Sequence, residues 1–208
     1  MPWAAPGGGT DAHRDDGMVE APSDERASDE DLLARIADED RVAFTSLMRR
    51  HGKTLRGLAF AFSGRAADAD DVTQEVFIML WRRPHAWKPG RVVFSTWLYR
   101  VVANRCLDQA RRQKLRRFLP FGEVADPVDE APSAYDALAG RDALAEVGRM
   151  IRTLPEKQRL ALLLAVQAER SNAEIASVLG VSEGAAEQLL VRARRTLRAM
   201  MENKETAT

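Results

Sequence analysis

Residues 171–197 read Ser-Asn-Ala-Glu-Ile-Ala-Ser-Val-Leu-Gly-Val-Ser-Glu-Gly-Ala-Ala-Glu-Gln-Leu-Leu-Val-Arg-Ala-Arg-Arg-Thr-Leu, and they are the most informative part of the chain. Apolar side chains recur at helical spacing before Gly180, which can adopt the positive φ that ends a helix. Ser182 can then cap a second helix that begins at Glu183. The pattern predicts a helix-turn-helix, a motif that binds DNA, and the alternative is an ordinary helical hairpin with a solvated basic face.

The predicted second helix carries candidate DNA contacts. In this motif the N-terminal turns face base edges, whereas later basic side chains meet phosphates. Glutamate can accept a hydrogen bond from cytosine N4, and glutamine can bridge adenine N6 and N7. The candidates for this surface are Ser182, Glu183, Glu187, Gln188, Arg192, Arg194 and Arg195.

The charges are segregated along the chain. The 208 residues carry a formal net charge of zero, which by itself argues against a nucleic-acid partner. However, acidic residues crowd the segment from 24 to 40, and basic residues crowd the segments from 100 to 117 and from 192 to 198. Such a chain is suited to more than one kind of partner.

The composition also excludes several classes of protein. A single cysteine, Cys106, excludes an internal disulfide and a cysteine-cluster zinc site, and favours a reducing compartment. The longest apolar run, residues 160–166, is far shorter than the roughly 20 residues of a membrane span. Residues 1–28 lack the basic start and apolar centre of a signal peptide. We therefore expect no export, no membrane insertion, and neither a metal nor another cofactor.

Helical periodicity from Ser28 onward predicts an all-α protein of two small domains. Prolines, glycines and acids predict a disordered tail at residues 1–27 and a flexible linker at 118–138. The predicted domains are therefore residues 28–117 and 139–201, the second containing the helix-turn-helix, with a short tail at 202–208. Ser28 with Asp31 is the predicted cap of the first helix.

Residues 70–81 predict a helix with a polar surface strip. Val72, Val76 and Leu80 form a core stripe at helical spacing, so other side chains must point away from the core. A strip of Asp71, Gln74 and Glu75 suits a partner protein with a basic surface. Alternatively, the acids only complement the helix dipole.

Residues 94–112 interleave aromatic side chains with arginines, after a loop at residues 84–91. Stacking on aromatic faces and neutralisation of phosphates are what an unpaired strand requires. Alternatively, Trp87 packs the loop onto the domain. The candidates for single-strand binding are Trp87, Lys88, Arg91, Trp97, Arg100, Asn104, Arg111 and Arg112.

These segments together resemble a known family. The first domain contributes Asp-Asp-Val-Thr-Gln-Glu-Val-Phe at residues 70–77 and Phe-Ser-Thr-Trp-Leu-Tyr-Arg-Val-Val-Ala-Asn-Arg at 94–105. After the acidic linker come Leu-Pro-Glu-Lys-Gln-Arg at 154–159, Glu-Ile-Ala at 174–176 and Arg-Ala-Arg at 192–194. This order resembles the extracytoplasmic-function (ECF) sigma factors of bacterial RNA polymerase over about residues 28–200.

The resemblance implies a division of labour. Residues 28–117 correspond to the region-two domain, in which Asp71, Gln74 and Glu75 match the surface for the beta-prime clamp helices. The segment 84–112 matches the part that reads and opens the minus-10 element, and the helix from Glu183 matches the reader of the minus-35 element. Glu187-Gln188-Leu189 departs from the polar Lys-Ser-Arg-like run of many members, so their base preferences cannot be transferred.

The resemblance also implies partners and a location. We expect core RNA polymerase, including its beta flap, promoter DNA and an anti-sigma factor that holds the protein inactive until a stress signal. We expect a cytoplasmic, non-enzymatic protein that is nucleoid-associated when active. The alternatives are an autonomous helix-turn-helix regulator, which a palindromic target would favour, and, more weakly, an RNA-binding protein.

Overall fold

The computed structural model describes residues 26–118 and 141–206, and within these ranges all regular structure is helical, which confirms the all-α prediction. The helices are α1 (Asp29–Ala37), α2 (Arg41–Ser63), α3 (Ala66–Arg82), α4 (Phe94–Phe118), α5 (Arg141–Thr153), α6 (Glu156–Val166), α7 (Asn172–Leu179) and α8 (Glu183–Glu205). A 3₁₀ turn, Pro84–Ala86, lies in the loop between α3 and α4.

Local capping sets the first helix ends. The Asp31 N–H donates to Ser28 Oγ at 3.1 Å, and the Ser28 N–H donates to Asp31 Oδ2 at 3.2 Å, which forms the predicted capping box. Asp40 caps α2 by accepting from the N–H groups of Val42 and Ala43. Gly64 ends α2 with a φ of 74°, a backbone conformation that residues other than glycine rarely adopt.

Helices α1 to α4 share an aliphatic core. Leu47, Leu58, Val76, Leu80 and Leu98 are each at most 1% exposed. Burying a side chain of this kind stabilises the fold by roughly 1.5–3 kcal/mol, so these positions fix how the helices pack. His51 contributes at the edge of this core, where its Nε2 lies 3.0 Å from Asp29 Oδ2.

Helices α5 to α8 form the second group, and its last two helices make the predicted helix-turn-helix. Ser171 and Glu174 form a capping box at the start of α7, and Gly180 ends that helix with a φ of 63°. Ser182 Oγ accepts from the Ala185 N–H at 3.2 Å, so α8 begins at Glu183 as predicted. Leu160, Leu164 and Ile175 are fully buried between the helices.

The two groups pack against each other. Buried side chains from α1 to α4 and from α6 to α8 belong to one continuous apolar cluster. Residues 1–25 of the predicted tail (1–27) and residues 119–138 of the predicted linker (118–138) lie outside the described residues. At the other end, α8 continues to Glu205, beyond the domain end predicted at Met201. None of the helices in the described parts of the chain combines the length and apolar character needed to cross a membrane.

Candidate nucleic-acid interface

Helix α8 presents a polar face opposite its buried stripe. Ala186, Leu190 and Ala193 are at most 3% exposed, and Leu189 and Leu197 are partly buried. The side chains that the sequence assigned to DNA are all exposed: Ser182, Glu183, Glu187, Gln188, Arg192, Arg194 and Arg195. The hydroxyl of Ser182 also serves as the helix cap.

Val191 lies on the same exposed face, and the sequence reasoning missed it. It is 50% exposed, and it stands four residues after Glu187 and three after Gln188, spacings that share one side of a helix. An apolar side chain in a major groove can contact the C5 methyl of thymine. The helical periodicity that places Glu187 and Gln188 on the exposed face also places Val191 there, so Val191 could have been predicted from the sequence.

Trp87 is placed inside the protein rather than on its surface. The side chain is 7% exposed, Nε1 donates to the Val92 carbonyl at 2.8 Å, and the ring meets Phe94 edge-on at 5.5 Å between centroids. Burial of the indole removes its apolar surface from water, and the N–H keeps a hydrogen-bond partner, so the buried position is favourable. In this conformation Trp87 packs the loop onto the domain, so its predicted role as a stacking surface for a base is not supported.

The other candidates around α4 differ in their accessibility. Trp97 is half-buried and stacked on Phe94 at 5.8 Å between centroids, with 27° between the ring planes. Arg100 is half-buried and donates to Ser177 of α7. The remaining candidates are exposed: Lys88, Arg91, Asn104, Arg111 and Arg112.

The polar strip on α3 is exposed as the periodicity predicted. Asp71, Gln74 and Glu75 face solvent, while Val72 and Val76 are buried. A groove of about 300 Å³ runs between α3 and α4 beside this strip, and it is lined mostly by charged and amide side chains. Glu75 Oε2 lies 3.3 Å from Arg105 Nη1 across the groove, in a pair that is about half exposed.

Asp70, next to the strip, is already paired within the domain. Arg56 Nε donates to Asp70 Oδ1 at 2.6 Å, and this hydrogen bond lowers the pKa of Asp70. Its charge is therefore matched inside the domain. Asp71 and Ile78 also lie exposed on α3, whereas Glu75 shares its charge with Arg105.

Comparison with known proteins agrees with this geometry. The family described as Sigma-70 region 2 matches residues 47–116, and the family described as Sigma-70, region 4 matches residues 144–197. The ECF RNA polymerase sigma factor SigM of Mycobacterium tuberculosis is 34% identical over 174 residues, which cover 84% of this chain and 85% of SigM. The chain belongs to the ECF sigma factors of RNA polymerase.

Other ECF sigma factors extend the comparison. RNA polymerase sigma factor CnrH of Cupriavidus metallidurans is 33% identical over 84% of this chain and 95% of its own length. The solved structure of CnrH with the cytosolic domain of CnrY has a TM-score of 0.63 at 30% identity, covering 84% of this chain and 97% of that chain. RpoE of Bartonella quintana, solved with the anti-sigma factor NepR, has the same fold, with a TM-score of 0.60 at 21% identity over 76% of this chain and 96% of that chain.

The two matched regions fall on the two helix groups of this sigma factor. Region 2 extends from Leu47 in α2 into α4 and contains the α3 strip. Region 4 extends from Leu144 in α5 to Leu197 in α8 and contains the helix-turn-helix. The family resemblance found in the sequence is therefore confirmed.

Proposed function

We propose that this sigma factor joins core RNA polymerase, directs it to promoters with two separated elements, and helps to open the minus-10 element. The observation that carries the proposal is that one chain exposes a polar strip on α3 and a second polar face on α8, the second helix of the helix-turn-helix. A helix-turn-helix regulator that acts alone has no need of the first surface.

Core binding is assigned to Asp71, Gln74 and Glu75, which would meet the beta-prime clamp helices, while the second domain meets the beta flap. Promoter opening is assigned to the basic and amide groups around α4, of which the lysine and arginine side chains neutralise the phosphates of an unpaired strand. These are Lys88, Arg91, Arg100, Asn104, Arg111 and Arg112, with Trp97 as the stacking surface and Trp87 as the support of the loop.

The minus-35 element is assigned to α8. Glu187 and Gln188 would read base edges, while Arg192, Arg194 and Arg195 would hold phosphates. Ser182 and Glu183 stand at the N-terminal turn, which enters the groove first. The corresponding domains are residues 28–117 and 139–201, joined by 118–138, with tails at 1–27 and 202–208.

Control and location are assigned by analogy with the relatives. RpoE was solved with an anti-sigma factor, and CnrH with a domain of CnrY. We assign this chain an anti-sigma partner that holds it inactive until a stress signal. Its work is in the bacterial cytoplasm, on the nucleoid when active, and it is not an enzyme.

The test is transcription with purified core polymerase that lacks any sigma factor. Adding the chain should give discrete transcripts from genomic DNA, and the mapped start sites should share two upstream elements. Core polymerase alone is the control. Specific binding of the chain to a palindrome, with no new transcripts, would instead indicate an autonomous helix-turn-helix regulator.

A further inference from the structure

Helix α4 forms one wall of the groove beside the α3 strip and brings positive charge close to it. The α4 wall is lined, at spacings that share one side of a helix, by Arg105, Asp108, Gln109, Arg112 and Gln113. The opposite wall carries Asp71 and Glu75 of the strip. The acids of the strip therefore share the groove with arginines of their own domain.

Within the groove, Arg105 partly satisfies Glu75. Arg105 Nη1 lies 3.3 Å from Glu75 Oε2, and the two side chains are 40% and 52% exposed. An ion pair that is exposed to this extent is weak, because water screens both charges and two long side chains must be held in one geometry. Arg105 is therefore a partner that Glu75 can exchange for another cation.

The neighbouring acids of α3 differ from Glu75 in this respect. Arg56 holds Asp70 through two hydrogen bonds, of 2.6 Å from Nε to Oδ1 and 3.3 Å from Nη2 to Oδ2, and this fork geometry is stronger than one contact. The Asp71 side chain has no hydrogen-bond or ion-pair partner among the described residues. Along α3, Asp70 is thus held firmly, Glu75 is held loosely, and Asp71 is open to a partner.

A basic partner must draw Glu75 away from Arg105 before it can use that carboxylate. The exchange costs the energy of the internal pair, so it lowers the affinity for the partner. Arg105 also repels any cation that approaches the groove, and this second effect does not require Glu75. The two effects can be separated, because only the first depends on the Glu75 charge.

We propose that Arg105 is an internal competitor for Glu75, which lowers the affinity of the α3 strip for a basic partner, here core polymerase. The inference rests on the proposed function, because it concerns the surface assigned there to core binding. When the partner binds, the Glu75 carboxylate leaves the Arg105 guanidinium and accepts a cationic group of the partner. Arg105 thus sets the strength of a contact to which it does not belong.

A double-mutant cycle on binding to core polymerase tests the competition. Arg105→Ala should raise the affinity about threefold, the size of effect expected for an exposed ion pair, and Glu75→Gln should remove most of that gain. Arg112 lines the same groove but forms no ion pair with Glu75 in the described structure. Arg112→Ala should therefore give a smaller gain, which measures repulsion alone. Equal gains from Arg105→Ala with and without the Glu75 charge would overturn the proposal.

A zero-length crosslink can show the exchange directly. Arg105→Lys places a primary amine beside Glu75, so a carbodiimide should join the two side chains as an amide in the free chain. Core polymerase added before the reagent should suppress this crosslink, because Glu75 then contacts the polymerase. Serum albumin in place of polymerase should leave the crosslink unchanged. An undiminished crosslink in a chain saturated with core polymerase would contradict the exchange.

The dependence on salt distinguishes competition from a change in folding. The gain from Arg105→Ala should shrink as potassium chloride is raised from about 0.05 M to about 0.5 M, because exposed charges are screened. Circular dichroism should show the same helix content in all variants. Weaker binding of Arg105→Ala at every salt concentration would mean that Arg105 positions Glu75 for the partner, and would overturn the proposal.

A decaarginine peptide separates failure of this inference from failure of the proposed function. Competition for Glu75 needs no polymerase, so Arg105→Ala should also bind the peptide more tightly, by a gain that Glu75→Gln reduces. If core polymerase yields specific transcripts but Arg105→Ala gains affinity for neither probe, the competition fails and the sigma function stands. If the gain appears with the peptide but the chain neither binds core polymerase nor directs transcription, the competition stands and the proposed function fails.

Discussion

At the scale of single residues, Trp87 has a structural task. Its indole is held between the Val92 carbonyl and the Phe94 ring, so it fixes the loop that leads into α4. Truncation would leave a cavity and an unpaired carbonyl at the same point.

Trp87→Ala should therefore lower the free energy of unfolding by about 3–5 kcal/mol, the usual cost of truncating a large buried aromatic residue. Urea unfolding measures this cost. Trp97→Ala, at a half-buried position, should cost less stability but impair opening of a duplex promoter more than use of a pre-melted one. Normal stability of Trp87→Ala with a selective defect on duplex promoters would instead indicate direct contact with a base.

On α8, residues of different chemistry should have different roles. Glu187→Ala and Val191→Ala should change which single-base promoter variants bind best, by roughly 1–3 kcal/mol for a lost glutamate contact. Arg195→Ala should weaken all variants alike and reduce the salt slope by about one unit. Binding to a panel of variants at several salt concentrations tests both, and the reverse pattern would exchange the assigned roles.

At the scale of helices, the sequence predicted which side chains face outward but not what they meet. Val72 and Val76 set the core side of α3 by period alone, which left Asp71, Gln74 and Glu75 exposed. The partner of Arg100 lies 77 residues along the chain, and no local pattern indicates it. Trp87 was ambiguous for the same reason, since its burial depends on how the loop returns over Phe94.

The α3 strip yields a prediction about polymerase. Gln74→Ala and Glu75→Gln should each weaken binding to core polymerase by about 1 kcal/mol or more, because both side chains are exposed and off the core stripe. Helix content measured by circular dichroism should not change. Asp38→Asn removes an exposed acid outside the strip and should bind normally. Reduced helix content with normal polymerase affinity would support the helix-dipole explanation.

Replacement by alanine should have opposite effects on stability at Gly57, inside α2, and at Gly64, which ends this helix. Gly64 has a φ of 74°, and a Cβ there would lie 2.5 Å from Cδ of Arg152 in α5. Gly64→Ala should therefore cost about 1–2 kcal/mol from the backbone alone, plus displacement of Arg152. Gly57→Ala, inside α2 with open space around it, should stabilise by about 0.5–1 kcal/mol. Unfolding curves of the two variants that shift in the same direction would contradict this account.

At the scale of the whole molecule, the sequence predicted two helical units, but not that they pack into one core. Helix periods and caps are local, so α1, α7 and α8 could be placed from Ser28, Gly180 and Ser182. Packing between units depends on surfaces that match only in three dimensions. Arg100, which joins the units by donating to Ser177, was predicted from the sequence to contact DNA.

Stability of the whole molecule should fall in acid. Hydrogen bonds from the Ser171 backbone lower the pKa of Glu174, burial opposes this, and the Ser171 hydroxyl and Arg170 lower it further. Because the folded pKa is depressed, this contribution is fully present above the unfolded value, about 4.3, and is lost as the pH falls through the folded pKa. Unfolding free energy should be flat above about pH 5 and decline below it, and less steeply in Glu174→Gln. A decline that is unchanged in this variant would exclude Glu174 as a cause.

The contact of Arg100 with Ser177, which joins the two helix groups, has a consequence for how the chain behaves at different concentrations. A contact between two parts of one chain is a unimolecular equilibrium, so the fraction of molecules that keep it does not change on dilution. An inhibitor that is a separate protein obeys mass action instead, and releases its target as copy numbers fall. The contact between Arg100 and Ser177 is therefore equally populated whether a cell contains few copies of the chain or many.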